Sequence, residues 1–343
     1  MTTTSGSESP APIAATGGIG AAAPIVVADR SPSTRMRRFV AWIVLIGGLA
    51  VVPLSGDYTT GLISEILVFA IFAMSLDLLI GYTGLLSFGH AAFFGVSAYT
   101  VVILGVHFGV SGWLGLVAGI VVSAMAAAII GFFSIRVTGI PFLMLTMAFA
   151  QLLMSVSITW RSVTGGTDGL SGFKRPALFG MSLDDRAVQF YVVATGFLFV
   201  LWFLRRLIAS PLGSIFIGIR ENEQRMRAAG YPVDRFKLVS FTLAGSLAGI
   251  GGGLYALQNA FVSSDILHWA LSGDAIIMVI LGGVGTVIGP AFGAAIFLLL
   301  KHVVSSHTDY WMLAVGAIFI LCVIFLPLGF WGVVRKARAR LQR

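Results

Sequence analysis

Residues 58–80 read YTTGLISEILVFAIFAMSLDLLI, and after them 81–95 read GYTGLLSFGHAAFFG. The first stretch has two carboxylates, Glu65 and Asp77, and no basic residue. About 20 consecutive, mainly apolar residues cross the hydrocarbon of a bilayer. A helix apolar all round lies either in a large protein core or in lipid. Composition decides between them. Of 343 residues, 57% are hydrophobic and 10% are charged, against about 25% charged in soluble domains. Mean hydropathy is +0.97. A soluble globular enzyme and a disordered chain are both excluded. The 42 glycines follow no G-X-Y period, which removes collagen and points to close helix packing in a membrane.

Working outward, apolar runs of spanning length occupy 39–54, 58–80, 86–106, 113–135, 139–159, 188–204, 238–258 and 310–332. The stretch 272–303 is long enough for a span, but Gly282-Gly283-Val284-Gly285-Thr286 and Gly289-Pro290 interrupt it. Such breaks mark a tight turn between two short spans or a discontinuous helix. With the N-terminus inside, seventeen Lys and Arg fall on the inner face and five on the outer, as the positive-inside rule requires. The basic C-terminal residues reach the inside only if 272–303 crosses an even number of times. The expectation is therefore an all-α polytopic transmembrane bundle of about ten spans, N-in and C-in. Eight spans plus a re-entrant hairpin is the alternative. The expected organisation is a disordered cytoplasmic tail 1–38, a membrane domain 39–334 with a cytoplasmic loop 205–237, and a basic tail 335–343. The net charge of +8 is mostly charge on the inner face in contact with anionic lipid. No nucleic-acid motif accompanies it.

The chain has no G-x-x-x-x-G-K-[ST], no H-E-x-x-H and no G-x-S-x-G, so ATP-binding, zinc-protease and serine-hydrolase chemistries have no motif. His90, His107, His268, His302 and His307 lack metal-ligand spacing, so neither metal nor cofactor is expected. Cys322, the one cysteine, excludes an internal disulfide. Gly245, Gly249 and Gly253 recur every four residues, as do Gly285, Gly289 and Gly293. Each set gives a smooth helix face, for packing or for sliding. Glu65, Asp77 and Asp274 are acids in apolar surroundings, and each must face a cavity, a partner or the interface. They are candidate lining of a transport route or proton sites. The glycine-punctuated 81–90 reads as a broken backbone or as a simple turn. Residues 212–229 alternate apolar and charged positions at helical spacing, and Gly230, Tyr231 and Pro232 stop the helix. Such an amphipathic helix lies on lipid or docks in a groove of a soluble partner.

The run Ser210-Pro211-Leu212-Gly213 through Ile219-Arg220-Glu221-Asn222 and Gly230 to Ala248-Gly249-Ile250-Gly251-Gly252 resembles the cytoplasmic loop of permeases of branched-chain amino acid ABC importers. Four further stretches agree, in the same order: Gly84 to Gly95, Leu145 to Gln151, Gly165-Gly166-Thr167-Asp168-Gly169-Leu170, and Gly282 to Pro290. The resemblance covers about residues 60–335. It implies that Arg220, Glu221, Asn222 and Gly230 carry contact with cytoplasmic ATPase subunits, and that ATP hydrolysis is theirs. It makes Ser87, Gly89, His90, Gln151, Thr167 and Asp168 candidate path or substrate residues, beside Glu65 and Asp77. It implies a second related permease and an extracytoplasmic binding protein as partners, the latter at 160–187, and a bacterial inner membrane as the location. The substrate expected is a branched-chain or other hydrophobic amino acid. Urea or a short amide is the family alternative, and a proton-coupled secondary transporter a more distant one. Pro141 departs from the family's usual aromatic residue, but a helix should still start there.

Overall fold

A computed structural model of the chain describes residues 46–49, 51–178 and 181–307, with isolated residues 313, 316, 317 and 320. The tails 1–38 and 335–343, Cys322, half of the run 39–54 and nearly all of 310–332 lie outside the described residues. The structure shows an all-α membrane bundle.

Among the described residues, six helices are long and apolar enough to cross a membrane. They are α1 (Asp57–Asp77, continuing through a wide π turn at Leu78–Thr83), α2 (His90–Phe108), α3 (Gly112–Ser134), α4 (Ile140–Thr159), α5 (Arg186–Ile208) and, after the loop, α8 (Val233–Asn259). The loop between α5 and α8 carries α6 (Pro211–Glu221) and α7 (Glu223–Ala228). Two shorter helices follow, α9 (Trp269–Gly282) and α10 (Gly289–Ser305). Proline sets several starts: Pro141, Pro211 and Pro290 each fall in the first turn of α4, α6 and α10, where its missing N–H costs nothing.

The core forms where α1, α2, α3 and α8 meet. Their packing shows what the first glycine series does. In α8, Gly245 lies against Ala127, Gly249 against Ser123, and Gly253 against Leu116 and Ser97. Backbones that close bring side-chain hydroxyls onto neighbouring carbonyls. Ser97 Oγ donates to the Gly249 carbonyl at 2.6 Å, and Ser123 Oγ reaches the carbonyls of Phe93 and Gly245 at 2.9 and 2.8 Å. The aromatic rings of Phe69, Phe72, Phe94 and Tyr255 fill the space between α1, α2 and α8, with centroids 5.0–6.5 Å apart.

The stretch 272–303 resolves into two antiparallel helices. Of 14 and 17 residues, they extend roughly 21 and 26 Å at 1.5 Å per residue, each short of a hydrocarbon core of about 30 Å. The second glycine series makes their close crossing possible. A Cβ at Gly293 would collide with the Met278 carbonyl, and one at Gly282 with the Gly289 carbonyl. Gly285, at φ +74°, belongs to the turn itself.

The two ends of the bundle differ. At one end, Tyr58 hydrogen-bonds His302, Arg186 donates to the Asp57 carbonyl at 3.3 Å, and Leu170–Ser171 pairs antiparallel with Phe261–Val262. The loop 160–185 belongs to this end, and Arg175 donates to the Gln258 carbonyl at 2.9 Å. At the other end lie the π turn of α1, the α9–α10 turn, α6, α7 and the start of α8.

Beyond the π turn, the chain reverses. Gly84 takes φ +80°, and residues 84–89 run without helix to α2. His90 begins α2 beside Ser75, with Nε2 to Oγ at 2.8 Å, so irregular backbone runs back up within the bundle. Its polar groups find side chains: the Gly89 amide donates to Ser87 Oγ at 3.2 Å and the Ala91 amide to Ser272 Oγ at 2.8 Å. Of the two readings open for 81–90, a break inside the bundle is the one observed.

Candidate functional site: the joint beneath the charged loop

The loop is ordered by its own sequence. Ser210 caps α6 by accepting from the Gly213 amide at 3.5 Å, and Phe216 and Ile219 bury the apolar face. The single helix expected over 212–229 is two. At Asn222 the backbone is extended (φ −159°, ψ 96°), and its side chain accepts from the Arg225 amide at 2.8 Å. The asparagine offers a cap in place of continued helix, which is why it breaks the run. Gly230 ends the segment at φ +86°, in the left-handed region that glycine occupies without strain.

A charge network fixes α7 to α8. The Lys237 ammonium, 3% exposed, donates to Glu223 at 2.6 Å, and Arg227 reaches the same carboxylate at 2.8 Å and also Asp234. Burial pushes the Glu223 carboxyl up, but hydrogen bonds from Lys237 and Arg227 outweigh it and hold the group below the ordinary glutamate range. The Arg227 guanidinium is raised by its bonds to Asp234 and then Glu223.

From the end of α6, Arg220 reaches inward. Its guanidinium donates to the Gly81 carbonyl in the π turn, and Gly84 leaves room for its stem, since a Cβ there would sit 3.3 Å from Arg220 Cγ. One turn earlier on α1, Asp77 is 1% exposed, and its Oδ1 accepts from the Gly285 amide at 2.8 Å. Tyr82 donates to the Gly285 carbonyl at 2.9 Å, and Thr83 bonds Ser240 of α8 at 2.6 Å. The Arg220 guanidinium lies beside Gly285, whose amide holds Asp77, and so brings a positive charge close to that carboxyl. Asp77 Oδ2 has no hydrogen-bond partner among the described residues. A buried carboxylate with one free oxygen is costly unless a positive charge stands near, so the position of Arg220 matters to Asp77.

Four segments thus meet at one point: loop helix α6, the end of α1, the α9–α10 turn and the start of α8. The bonds between them run mostly to backbone, and they hold position; they supply no nucleophile or acid–base pair. Among the described residues, no three metal-binding side chains come together. Beside the joint opens a cavity of about 430 Å³, whose walls include Leu86, Phe142, Ile219 and Glu221.

The candidate residues fall in three places. Of the four loop residues, Arg220 points into the joint, Glu221 is exposed, Asn222 caps α7 and Gly230 makes a turn. Ser87, Gly89 and His90 lie buried where α2 begins. The His90 ring stacks on Phe72 at 5.5 Å and meets Phe93 edge-on at 5.7 Å. A Cβ at Gly89 would touch the Thr146 carbonyl at 2.5 Å. Gln151 is half-buried on α4, while Thr167 and Asp168 are exposed at the opposite end from the joint. The two α1 acids separate: Asp77 is buried in the joint, whereas Glu65 is exposed. The structure does not gather these residues into one pocket. Gly285, Tyr82, Glu223 and Lys237 were not singled out as site residues from sequence. The sequence signals near them are the stretches 282–290, 81–90 and 212–229 and the loop 205–237.

The fold and this joint define a multi-pass helical membrane protein with a charged loop built into its helix packing. Residues 58–323 match the family described as "Branched-chain amino acid transport system / permease component", and the chain belongs to that family of transport permeases. It is 27% identical over 292 residues to the high-affinity branched-chain amino acid transport system permease protein LivM of Salmonella typhimurium, covering 78% of this chain and 69% of that protein. The LivM protein of Escherichia coli matches at the same identity and coverage. The autoinducer 2 import system permease protein LsrC of Klebsiella pneumoniae is 27% identical over 236 residues, 65% of this chain and 64% of that protein. No solved structure matches the chain.

Proposed function

We propose that this chain is the permease subunit of an ATP-binding-cassette importer in a bacterial inner membrane. It forms, with a second related permease, the path for branched-chain or other hydrophobic amino acids. The α6–α7 loop faces the cytoplasm and receives an ATPase subunit, and the opposite end, with the 160–185 loop, receives substrate from a binding protein. The observation that carries this reading is the seating of α6 on the π turn and the α9–α10 turn through Arg220, Gly81, Asp77 and Gly285. A push on the exposed side of α6 has a direct route into the membrane helices, since rigid helices packed this way shift as units. Glu221, exposed beside Arg220, supplies the outward contact.

Asp77 engages a backbone amide in the resting joint, which favours a positioning role over a proton carrier. The path residues among Ser87, Gln151, Thr167, Asp168 and Glu65 are assigned to successive depths of the route. The reading is tested by reconstituting the chain with its neighbouring ATPases, second permease and binding protein in vesicles. ATP-dependent uptake of leucine, with urea and autoinducer 2 as competitors, supports it. Uptake by the chain alone under a proton gradient overturns it, and preference for urea or autoinducer 2 overturns the substrate.

A further inference from the structure

Where α3 ends and α8 begins, a groove of about 450 Å³ is lined by Phe132, Ile135, Arg136, Arg227, Asp234 and Arg235, among others. Three guanidiniums face one carboxylate there, and that carboxylate, Asp234, is already paired with Arg227. Arg136 and Arg235 have no acidic partner among the described residues. The groove therefore carries two uncompensated positive charges. The Arg136 guanidinium stands over the Phe132 ring, 4.7 Å from its centroid, and this cation–π contact holds it at the groove.

Directly above, α3 shows an exposed apolar track. Val121, Met125, Ile129 and Phe132 are each more than half exposed, and at their spacing they form one face. The track leads along α3 into Arg136. We propose that this groove binds an anionic phospholipid, with the phosphate on Arg136 and Arg235 and an acyl chain along Val121, Met125, Ile129 and Phe132. A soluble anion would use the arginines alone. Only a lipid uses both parts, because basic groove and apolar track are continuous and run parallel to the helices. Basic pockets at the ends of membrane helices take anionic headgroups for this reason. The groove lies next to the loop network, since Arg227 is shared by both, so an occupying lipid would brace α7 from the membrane side. This inference needs only that the chain spans a bilayer; it does not depend on the transport reading.

The test uses the full-length chain purified in mild detergent and titrated with phosphatidylglycerol or phosphatidylcholine, counting bound lipid by native mass spectrometry. Wild type should retain phosphatidylglycerol selectively. Each basic residue near an anionic headgroup is worth about a factor of five, so Arg136→Gln/Arg235→Gln should weaken retention by about twenty-five-fold. Arg136→Lys should keep most of it, and Arg225→Gln, on α7 outside the groove, should change nothing. Equal retention of the two lipids by wild type overturns the proposal and needs no variant to fold. Displacement of bound phosphatidylglycerol by millimolar inorganic phosphate also overturns it, by showing a site for soluble anions. So does loss of the lipid on adding the ATPase subunits, which would show a protein-docking surface.

Discussion

Removing the inward reach of Arg220 should loosen the joint while leaving the helices intact. In Arg220→Gln the shorter side chain no longer reaches the Gly81 carbonyl. A hydrogen bond from a charged donor contributes about 1.5–3 kcal/mol. Arg220 as a whole is exposed, and water screening brings the value to the lower end, about 1.5 kcal/mol. That is about a tenfold fall in the population with α6 seated. Amide hydrogen exchange over 78–89 and 283–288 should then quicken about tenfold, while exchange in the middle of α3 and α8 stays unchanged. In reconstituted vesicles, more ATP should be spent per molecule imported. Glu221→Arg makes the contrast: Glu221 is exposed, so exchange at the joint should be unaltered while ATPase stimulation is lost. If Arg220→Gln leaves both segments protected, or if Glu221→Arg loosens them equally, the assignment of one residue to the joint and the other to the partner fails.

Two further outcomes follow from local geometry. Because Glu223 titrates below its ordinary value when folded, its contribution to loop docking is fully present above that ordinary value and is lost as pH falls through the lowered one. Protease nicking of residues 222–232 should rise on acidification, and Glu223→Gln should be nicked readily at neutral pH with little further change; parallel profiles for both proteins would contradict this. Gly252→Ala would drive a methyl into the Phe94 carbonyl on α2, a backbone clash costing about 1–3 kcal/mol or more. Gly273→Ala has only Phe88 at 3.8 Å and should be neutral or stabilising, as alanine suits a helix better than glycine. Thermal unfolding in detergent should separate the two, and equal melting temperatures would contradict the packing described.

The six long helices are legible because each is an apolar run of bilayer length. The break in 272–303 is legible because glycines and a proline interrupt it. Residue partners are not. Glu65 and Asp77 share one run, and both read as acids needing a cavity. Twelve residues along a helix is about 120° of rotation, so they face different ways, and only tertiary packing says which way is inward. His90 is a candidate site residue by the resemblance alone, and its enclosure by Phe72, Phe93 and Ser75 is set by tertiary packing. Helical spacing over 212–229 could not show the break at Asn222, because an amide side chain competing for the backbone leaves periodicity intact.

The joint itself explains why the recognisable stretches are rich in glycine. Gly81 packs against Gly285, and a Cβ on Gly81 would stand 2.5 Å from the Gly285 amide nitrogen, the one that holds Asp77. Gly84 must take φ +80° to reverse the chain, and it gives Arg220 its seat. Gly285 needs φ +74° to present both its amide and its carbonyl to α1. Three glycines from segments 200 residues apart in sequence therefore serve one contact: a side chain at Gly81 would force the hairpin and α1 apart, and one at Gly285 would strain a left-handed backbone. Sequence could display the stretches 84–95, 210–222 and 282–290 one by one. That they touch follows from helix lengths and from the reversal at Gly84, which together bring the end of α1, the hairpin turn and α6 to the same depth. A loop seated on backbone atoms at that depth cannot move without carrying the end of α1 with it or breaking the bond from Arg220 to Gly81, and this is the physical content of the proposed coupling.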